Sequence, residues 1–374
     1  MVSSQPKKFR VLVVEDSTFM RRVLETIFNS DDQLQVVGHA TDGREAIALA
    51  ESLKPDVITM DLNMPHMDGL QATAHIMTTN PRPIVVVSSE TREGAAKTLK
   101  ALELGAIEFV TKPSADVDLD LQGAKEELIR KVRMAAKVRV VRTASRMVTA
   151  VQGAGTAAPV QRVPLPQPTP IVPAELRFPV VVLAASTGGP ATVMRMAPGF
   201  TRDFPAAVFL VQHMPAAFTT QYALQLAEFT GVRVKEAEAG EPVQPGTLYI
   251  CPGGQHLRVT PTGRMQLDST TGRIEGYLPN IDVTMESIAA FAGAMSIAVV
   301  LTGMGSDGTR GARAIKSAGG LVLAQDEATC VIFGMPAEAI KAGVVDQVLG
   351  IDDIYPAIEK HVLGLSRLAP VGAR

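Results

Sequence analysis

Short, unbroken apolar runs alternate with stretches of helical periodicity along the first third of the chain. Val11–Val14, Val57–Met60, Ile84–Val87 and Ile107–Val110 have the length and β-branched content of buried strands, with Val36–His39 a weaker example. Between them, Phe19–Phe28, Gly43–Leu53 and Ala95–Leu104 repeat apolar residues at helical spacing. Alternation of this kind predicts a parallel sheet covered on both faces, with ligands held beyond the carboxyl ends of its strands. The rhythm restarts at Phe178, with strands expected at Val180–Ala185, Ala207–Gln212, Thr247–Cys251, Ser296–Thr302 and Leu321–Ala324. Helices are expected at Pro190–Met196, Phe218–Phe229, Val283–Ala292, Thr309–Ala318 and Pro336–Ala342. The fold class is therefore α/β, with two doubly wound parallel-sheet domains.

Between the two series the pattern breaks. Lys125–Arg146 is dominated by basic residues, and Gly153–Pro173 by Gly, Ala, Pro, Gln and Val. Proline at that density favours an extended, semi-rigid connection. The expected division is a first domain at 8–125, a linker at 126–177 that begins as a solvated basic helix, and a second domain at 178–368. A net charge of −2 and sparse aromatic residues offer neither an electrostatic footprint nor a stacking platform for nucleic acid. Cys251 and Cys330 lack metal-ligand spacing and read as small apolar residues in a reduced compartment. Lys7 and Lys8 precede too short an apolar run for a signal peptide, and runs such as Ile297–Leu301 are too short to span a bilayer. A soluble, cytoplasmic protein without membrane insertion is expected.

Glu15 and Asp16 follow the first strand, and Asp61 follows the strand Val57–Met60. If those strands are neighbours, three carboxylates meet at one end of the sheet and repel one another unless a cation joins them. Mg²⁺ is the natural candidate, because it takes oxygen ligands and keeps room for a phosphoryl group. Ser88 ends the next strand and Lys112 follows the one beyond, a hydroxyl and an ammonium suited to steadying phosphoryl oxygens. The stretches Val14-Glu-Asp-Ser17, Met60-Asp-Leu-Asn-Met-Pro-His-Met-Asp-Gly69, Val87-Ser-Ser89 and Phe109-Val-Thr-Lys-Pro113 resemble the receiver domain of two-component response regulators. That resemblance implies a flavodoxin-like fold in which Asp61 accepts a phosphoryl group. It implies that Glu15, Asp16, Asp61 and the backbone carbonyl of Asn63 hold Mg²⁺, with Glu15 standing where many receivers carry Asp. It also implies that Ser88, Lys112 and the rotating aromatic Phe109 sense the phosphorylated state, and that Lys112-Pro113 is a cis peptide.

In the second half, the strand Val180–Ala185 runs into Ser186-Thr-Gly-Gly-Pro190. This places a hydroxyl at a strand's carboxyl end, next to glycines and a helix start, where a nucleophile or a simple capping serine both fit. A serine nucleophile needs a base, and the chain has six histidines. His39, His66 and His75 belong to the first domain, and His361 lies in a polar terminal helix. His256 lies in a turn or short strand, whereas His213 ends a strand on the rim expected for Ser186 and is preferred. Asp307, among three glycines after Ser296–Thr302, occupies a comparable position, either as the orienting acid or as a helix cap. The order Ser–His–Asp, and the absence of a Gly-x-Ser-x-Gly elbow, disfavour an α/β-hydrolase.

Ala185-Ser-Thr-Gly-Gly-Pro190, Val211-Gln-His-Met-Pro215, Cys251-Pro-Gly-Gly254, Leu301-Thr-Gly-Met-Gly-Ser-Asp-Gly308 and Gln325-Asp-Glu-Ala-Thr-Cys330 resemble the chemotaxis protein-glutamate methylesterases, the CheB family. The resemblance implies a Rossmann-like three-layer esterase domain with Ser186 as nucleophile, His213 as base and Asp307 as its partner. Thr187 and the backbone of Met304 would help with positioning and oxyanion binding. Cys251 and Ser306 replace the usual alanines. The implied substrates are methylated glutamates on chemoreceptor cytoplasmic helices, with glutamine deamidation a second reaction in some members. The implied phosphodonor is a chemotaxis histidine kinase, and the esterase site needs no cofactor. Three alternatives compete with this reading: a DNA-binding regulator, whose helix-turn-helix pattern is absent from the sequence, a non-catalytic phosphate sink or adaptor, and a paralogue serving a non-motility array.

Overall fold

Residues at successive positions of β1 (Phe9–Val14) point to opposite faces, and both faces are covered, which is why the run carries no polar alternation. The computed structural model describes residues 8–88, 91–112, 121–138 and 178–368. With β2 (Leu34–Ala40), β3 (Val57–Asp61), β4 (Ile84–Ser88) and β5 (Glu108–Thr111), the first strand forms a parallel sheet in the order β2-β1-β3-β4-β5. Leu12, Val14, Ile58, Met60 and Val86 pack under α2 (Gly43–Leu53), α3 (Gly69–Thr79) and α4 (Arg92–Glu103). Val11, Val13, Val57, Val85 and Val87 pack under α1 (Thr18–Asn29) and α5 (Leu121–Ala135). The chain reverses its direction of winding between β1 and β3, and a crevice opens there at the carboxyl ends.

Helix α3 is absent from the segments anticipated above. Its start is set by Asp68, whose side chain accepts the Gln71 N–H, but its buried face is only Gly69, Ala72, Thr73 and Ile76, too small to give a strong apolar stripe. The expected boundary at residue 125 falls inside α5. Leu128, Val132 and Ala135 are buried against the first sheet, so this helix is a layer of the first domain and only its outer face is solvated and basic. Both Lys112-Pro113 as a peptide unit and the proline-rich stretch lie outside the described residues.

The second domain is a seven-stranded parallel sheet, order β14-β13-β12-β6-β7-β9-β8. Its strands are β6 (Val180–Ala185), β7 (Ala207–Gln212), β8 (Arg233–Glu236), β9 (Thr247–Ile250), β12 (Ser296–Val300), β13 (Leu321–Gln325) and β14 (Gln347–Leu349). One face carries α6 (Gly189–Met196), α7 (Ala216–Phe229) and α11 (Ile351–Leu368). The other carries α8 (Ile281–Ala292), α9 (Thr309–Ser317), α10 (Met335–Lys341) and the antiparallel hairpin β10 (His256–Val259) and β11 (Met265–Asp268). Winding reverses between β6 and β12, so the carboxyl ends of β6, β7 and β12 border this sheet's crevice.

The two domains share one apolar layer. Helix α4 packs on α6 and α7, and the cluster beneath it runs on without a break into Val193, Phe218 and Leu226. Among the described residues, no helix is long and apolar enough to cross a membrane.

Candidate active site and acidic switch site

At the β1/β3 crevice, ligand atoms of Glu15, Asp16 and Asp61 lie within 4.8 Å of one another. Glu15 and Asp61 are buried and Asp16 is exposed, so the cluster is open on one side. Lys112 Nζ stands 2.9 Å from Glu15 Oε2 and 2.9 Å from Asp61 Oδ2. Burial lifts the Glu15 carboxyl above its ordinary range, with the Asp61 charge adding to the push and Lys112 opposing it. Burial works against the charge on Lys112, but its pairing with Asp61 and Glu15 outweighs it and raises the lysine pKa. The buried oxygens Glu15 Oε2 and Asp61 Oδ2 make no well-aligned hydrogen bond. An all-oxygen donor set with two such oxygens and one open side fits Mg²⁺. The Asn63 N–H donates to Asp61 Oδ1 at 3.2 Å, and its side-chain oxygen accepts from Lys97 at 2.7 Å. Ser88 is buried beside them in the sheet and donates to the Gly94 carbonyl at 3.3 Å.

At the second crevice, Ser186 sits in the step from β6 to α6. Gly188 adopts a left-handed conformation (φ 77°), and a side chain there would collide with Val331. The turn therefore needs glycine twice over. The Ser186 N–H donates to the Thr302 carbonyl at 3.1 Å, and its own carbonyl accepts from Gly189 N–H and from Gln212 Nε2, each at 2.8 Å. Its hydroxyl lies 3.1 Å from His213 Nδ1, and His213 Nε2 lies 2.8 Å from Asp307 Oδ2. The imidazole faces these partners in the opposite sense to the chymotrypsin arrangement, with Nδ1 toward serine and Nε2 toward the acid. A proton on Nε2, shared with the carboxylate, leaves Nδ1 as an acceptor for the serine hydroxyl.

Asp307 is fixed in turn by backbone donors. Oδ2 accepts from Ile281 N–H at 2.8 Å, and Oδ1 accepts from Asp282 N–H at 2.9 Å and Gly308 N–H at 3.0 Å. Ile281 and Asp282 open α8, so the carboxylate sits on a helix N-terminus whose free N–H groups favour negative charge. His256, the other histidine of the second domain's front half, stands apart from Ser186. It is fully buried, with Nδ1 accepting the Asn280 N–H at 3.1 Å and Nε2 donating to the Gly272 carbonyl at 2.7 Å. Its work is to anchor the segment that leads into α8.

Thr187 and Met304 flank the serine. Gly303 is so close that a side chain on it would meet Ser186 Cβ, which puts Met304 at the serine's edge. Both residues are held by the first domain. The Thr187 hydroxyl donates to Glu108 Oε2 at 2.6 Å, and Arg130 Nη1 lies 3.4 Å from Met304 Sδ. Phe109 is buried with its ring centroid 4.4 Å from that of Phe218 on α7. Of these contacts one is visible in the sequence, Glu108, an acid inside the apolar run Ile107–Val110. Tyr277 had none beyond its place in a glycine-rich turn, yet its ring stacks on His213 at 4.2 Å with an interplanar angle of 12°.

Residues 181–358 match the family model for CheB methylesterase, and residues 11–122 match that for the response regulator receiver domain. A protein-glutamate methylesterase/protein-glutamine glutaminase of Halalkalibacterium halodurans is 40% identical over 357 residues, covering 95% of this chain and 98% of its own. A protein of the same name from Pyrococcus horikoshii is 41% identical over 358 residues, covering 95% and 94%. The solved catalytic domain of Thermotoga maritima CheB methylesterase aligns at 40% identity and a TM-score of 0.48, covering 50% of this chain and 100% of its own.

Proposed function

The chain belongs to the CheB family of protein-glutamate methylesterases with a receiver domain, and from that premise we propose a phosphorylation-gated serine esterase that removes γ-methyl groups from chemoreceptor glutamates. The observation that carries the reading is the unbroken line Ser186 Oγ, His213, Asp307, drawn from the ends of three adjacent strands at a winding reversal.

Ser186 Oγ attacks the ester carbonyl as its proton passes to His213 Nδ1. Asp307 holds the imidazole's Nε2–H and stabilises the positive charge that forms. The tetrahedral oxygen is received at the edge made by Thr187 and Met304. Collapse breaks the carbon–methoxy bond, and the methoxy oxygen takes the Nδ1 proton and leaves as methanol. Water then adds to the acyl carbon as its proton passes to Nδ1, and collapse breaks the bond to Ser186 Oγ, which takes that proton back and frees the glutamate. Ammonia in place of methanol turns the same cycle into glutamine deamidation.

In the first domain, Asp61 is the phosphoryl acceptor, and Glu15, Asp16, Asp61 and the Asn63 carbonyl are the residues that would hold Mg²⁺. The ion would supply positive charge against both the acidic cluster and the incoming phosphoryl oxygens. Lys112, already paired to Asp61, senses the new charge, and Ser88 and Phe109 carry the change along β4 and β5. The support for gating is that Thr187 and Met304 are the residues that Glu108 and Arg130 reach across the domain boundary. A chemotaxis histidine kinase is the phosphodonor in this reading.

Ser186→Ala in the full chain is expected to lower methanol release from methylated receptor fragments by about 10³-fold or more. Near-normal turnover in that variant would contradict the assignment.

A further inference from the structure

The loop between β11 and α8 is built to hold one ring. Ile274 and Tyr277 exchange both backbone hydrogen bonds, at 3.0 and 2.9 Å, around Glu275 (φ 51°) and Gly276 (φ 87°). Positive φ at both central residues is the signature of a tight two-residue hairpin turn, which fixes the residue that closes it. His256 ties down both flanks of this turn through Gly272 and Asn280. Opposite, Gly305 is left-handed (φ 87°), and a side chain on it would collide with the Tyr277 hydroxyl. The ring is thus seated flat on the His213 imidazole, at the close end of aromatic pair distances. Burial lifts the Tyr277 phenol above its ordinary value, with the Arg130 cation opposing, so a neutral ring faces the histidine.

We propose that Tyr277 is a positioning residue for the acyl-transfer step, its ring holding the His213 imidazole in line with Ser186 and Asp307 and stabilising the imidazolium as it forms. The assignment rests on His213 being the base. The groups around that imidazole are Ser186 from the end of β6, Asp307 from the loop before α9 and Tyr277 from the loop before α8, with Arg130 of α5 beyond the tyrosine. An electron-rich face stacked on the ring favours its cationic form. In the reaction that form arises as Ser186 gives up its proton, so the contact strengthens toward the transition state and acts on kcat rather than on KM.

The test compares Tyr277→Leu and Tyr277→Phe in the full chain, with Mg²⁺ and a small phosphodonor present so that gating is equal. Methanol release should show kcat lowered about three- to thirtyfold by Tyr277→Leu with KM little changed. Tyr277→Phe, which keeps the ring, should recover most of that loss. Histidine-selective NMR supplies a readout independent of turnover. The His213 ring proton should be displaced upfield by the stacked ring in the parent chain and in Tyr277→Phe, and should move downfield in Tyr277→Leu. Unchanged kcat in Tyr277→Leu, or equal losses in both variants, would overturn the inference while leaving the triad standing. Normal turnover in His213→Gln would overturn the triad, and this role with it.

Discussion

Asp282 shows how much a single side chain carries in this site. Its backbone N–H holds Asp307, while its own carboxylate accepts the Gly311 N–H at 2.6 Å, so it joins the starts of α8 and α9. Burial pushes its pKa up to about 6, against the Gly311 N–H and Arg310 and with help from the Asp307 charge. A folded value above the unfolded one means that folding favours the protonated acid. The stabilising contribution is therefore full below about pH 4 and is lost as pH rises through about 6. Asp282→Asn keeps an oxygen for Gly311 and carries no charge. Relative to the parent chain it should gain stability between about pH 4.5 and 7.5, by at most about 3 kcal/mol, read from urea denaturation at the two pH values. A pH-independent difference would mean that Asp282 holds no buried charge. At this scale Ser186 and His213 are marked in the sequence because each directly follows an apolar strand, and Asp307 because it lies among glycines in the loop beyond one. Asp282 and Tyr277 were illegible, because their roles depend on partners far along the chain.

The elements explain which parts of the fold were legible. Central strands such as β1, β3, β6 and β12 are covered on both faces, and their continuous apolar runs announce them. The edge strands of the second sheet do not. Arg233-Val-Lys-Glu236 in β8 and Gln347-Val-Leu349 in β14 are short and partly polar, and only pairing with β9 and β13 makes them strands. From residue 126 onward helix α5 reads as linker in the sequence, because its exposed face is basic while the apolar stripe of Leu128 and Val132 is narrow. Strand β5 has a second task, since Glu108 leaves it to reach Thr187 beside Ser186. Deleting that charge-assisted bond should loosen the contact between the first domain and Thr187. Glu108→Ala is expected to raise methanol release by the unphosphorylated chain at least about fivefold. Unchanged or lower basal release would show that this contact does not restrain the site.

Across the whole molecule, two winding reversals make two crevices, and the layer of α4, α6 and α7 joins them. Asp61 and Ser186 lie in different domains, yet the chain of contacts from Lys112 on β5's end through Glu108 and Phe109 reaches Thr187 and Phe218. Arg130 on α5 closes the other side at Met304. If phosphorylation gates the site as proposed, a shift of this interface by only about 1–3 kcal/mol would change activity about 5- to 150-fold. The most direct test is methanol release from methylated receptor fragments by the full chain and by Asp61→Asn, each with and without Mg²⁺ and a small phosphodonor. A rise within that range is expected for the parent chain and none for Asp61→Asn. An equal rise in both, or no rise in a parent chain shown to be phosphorylated, would contradict it.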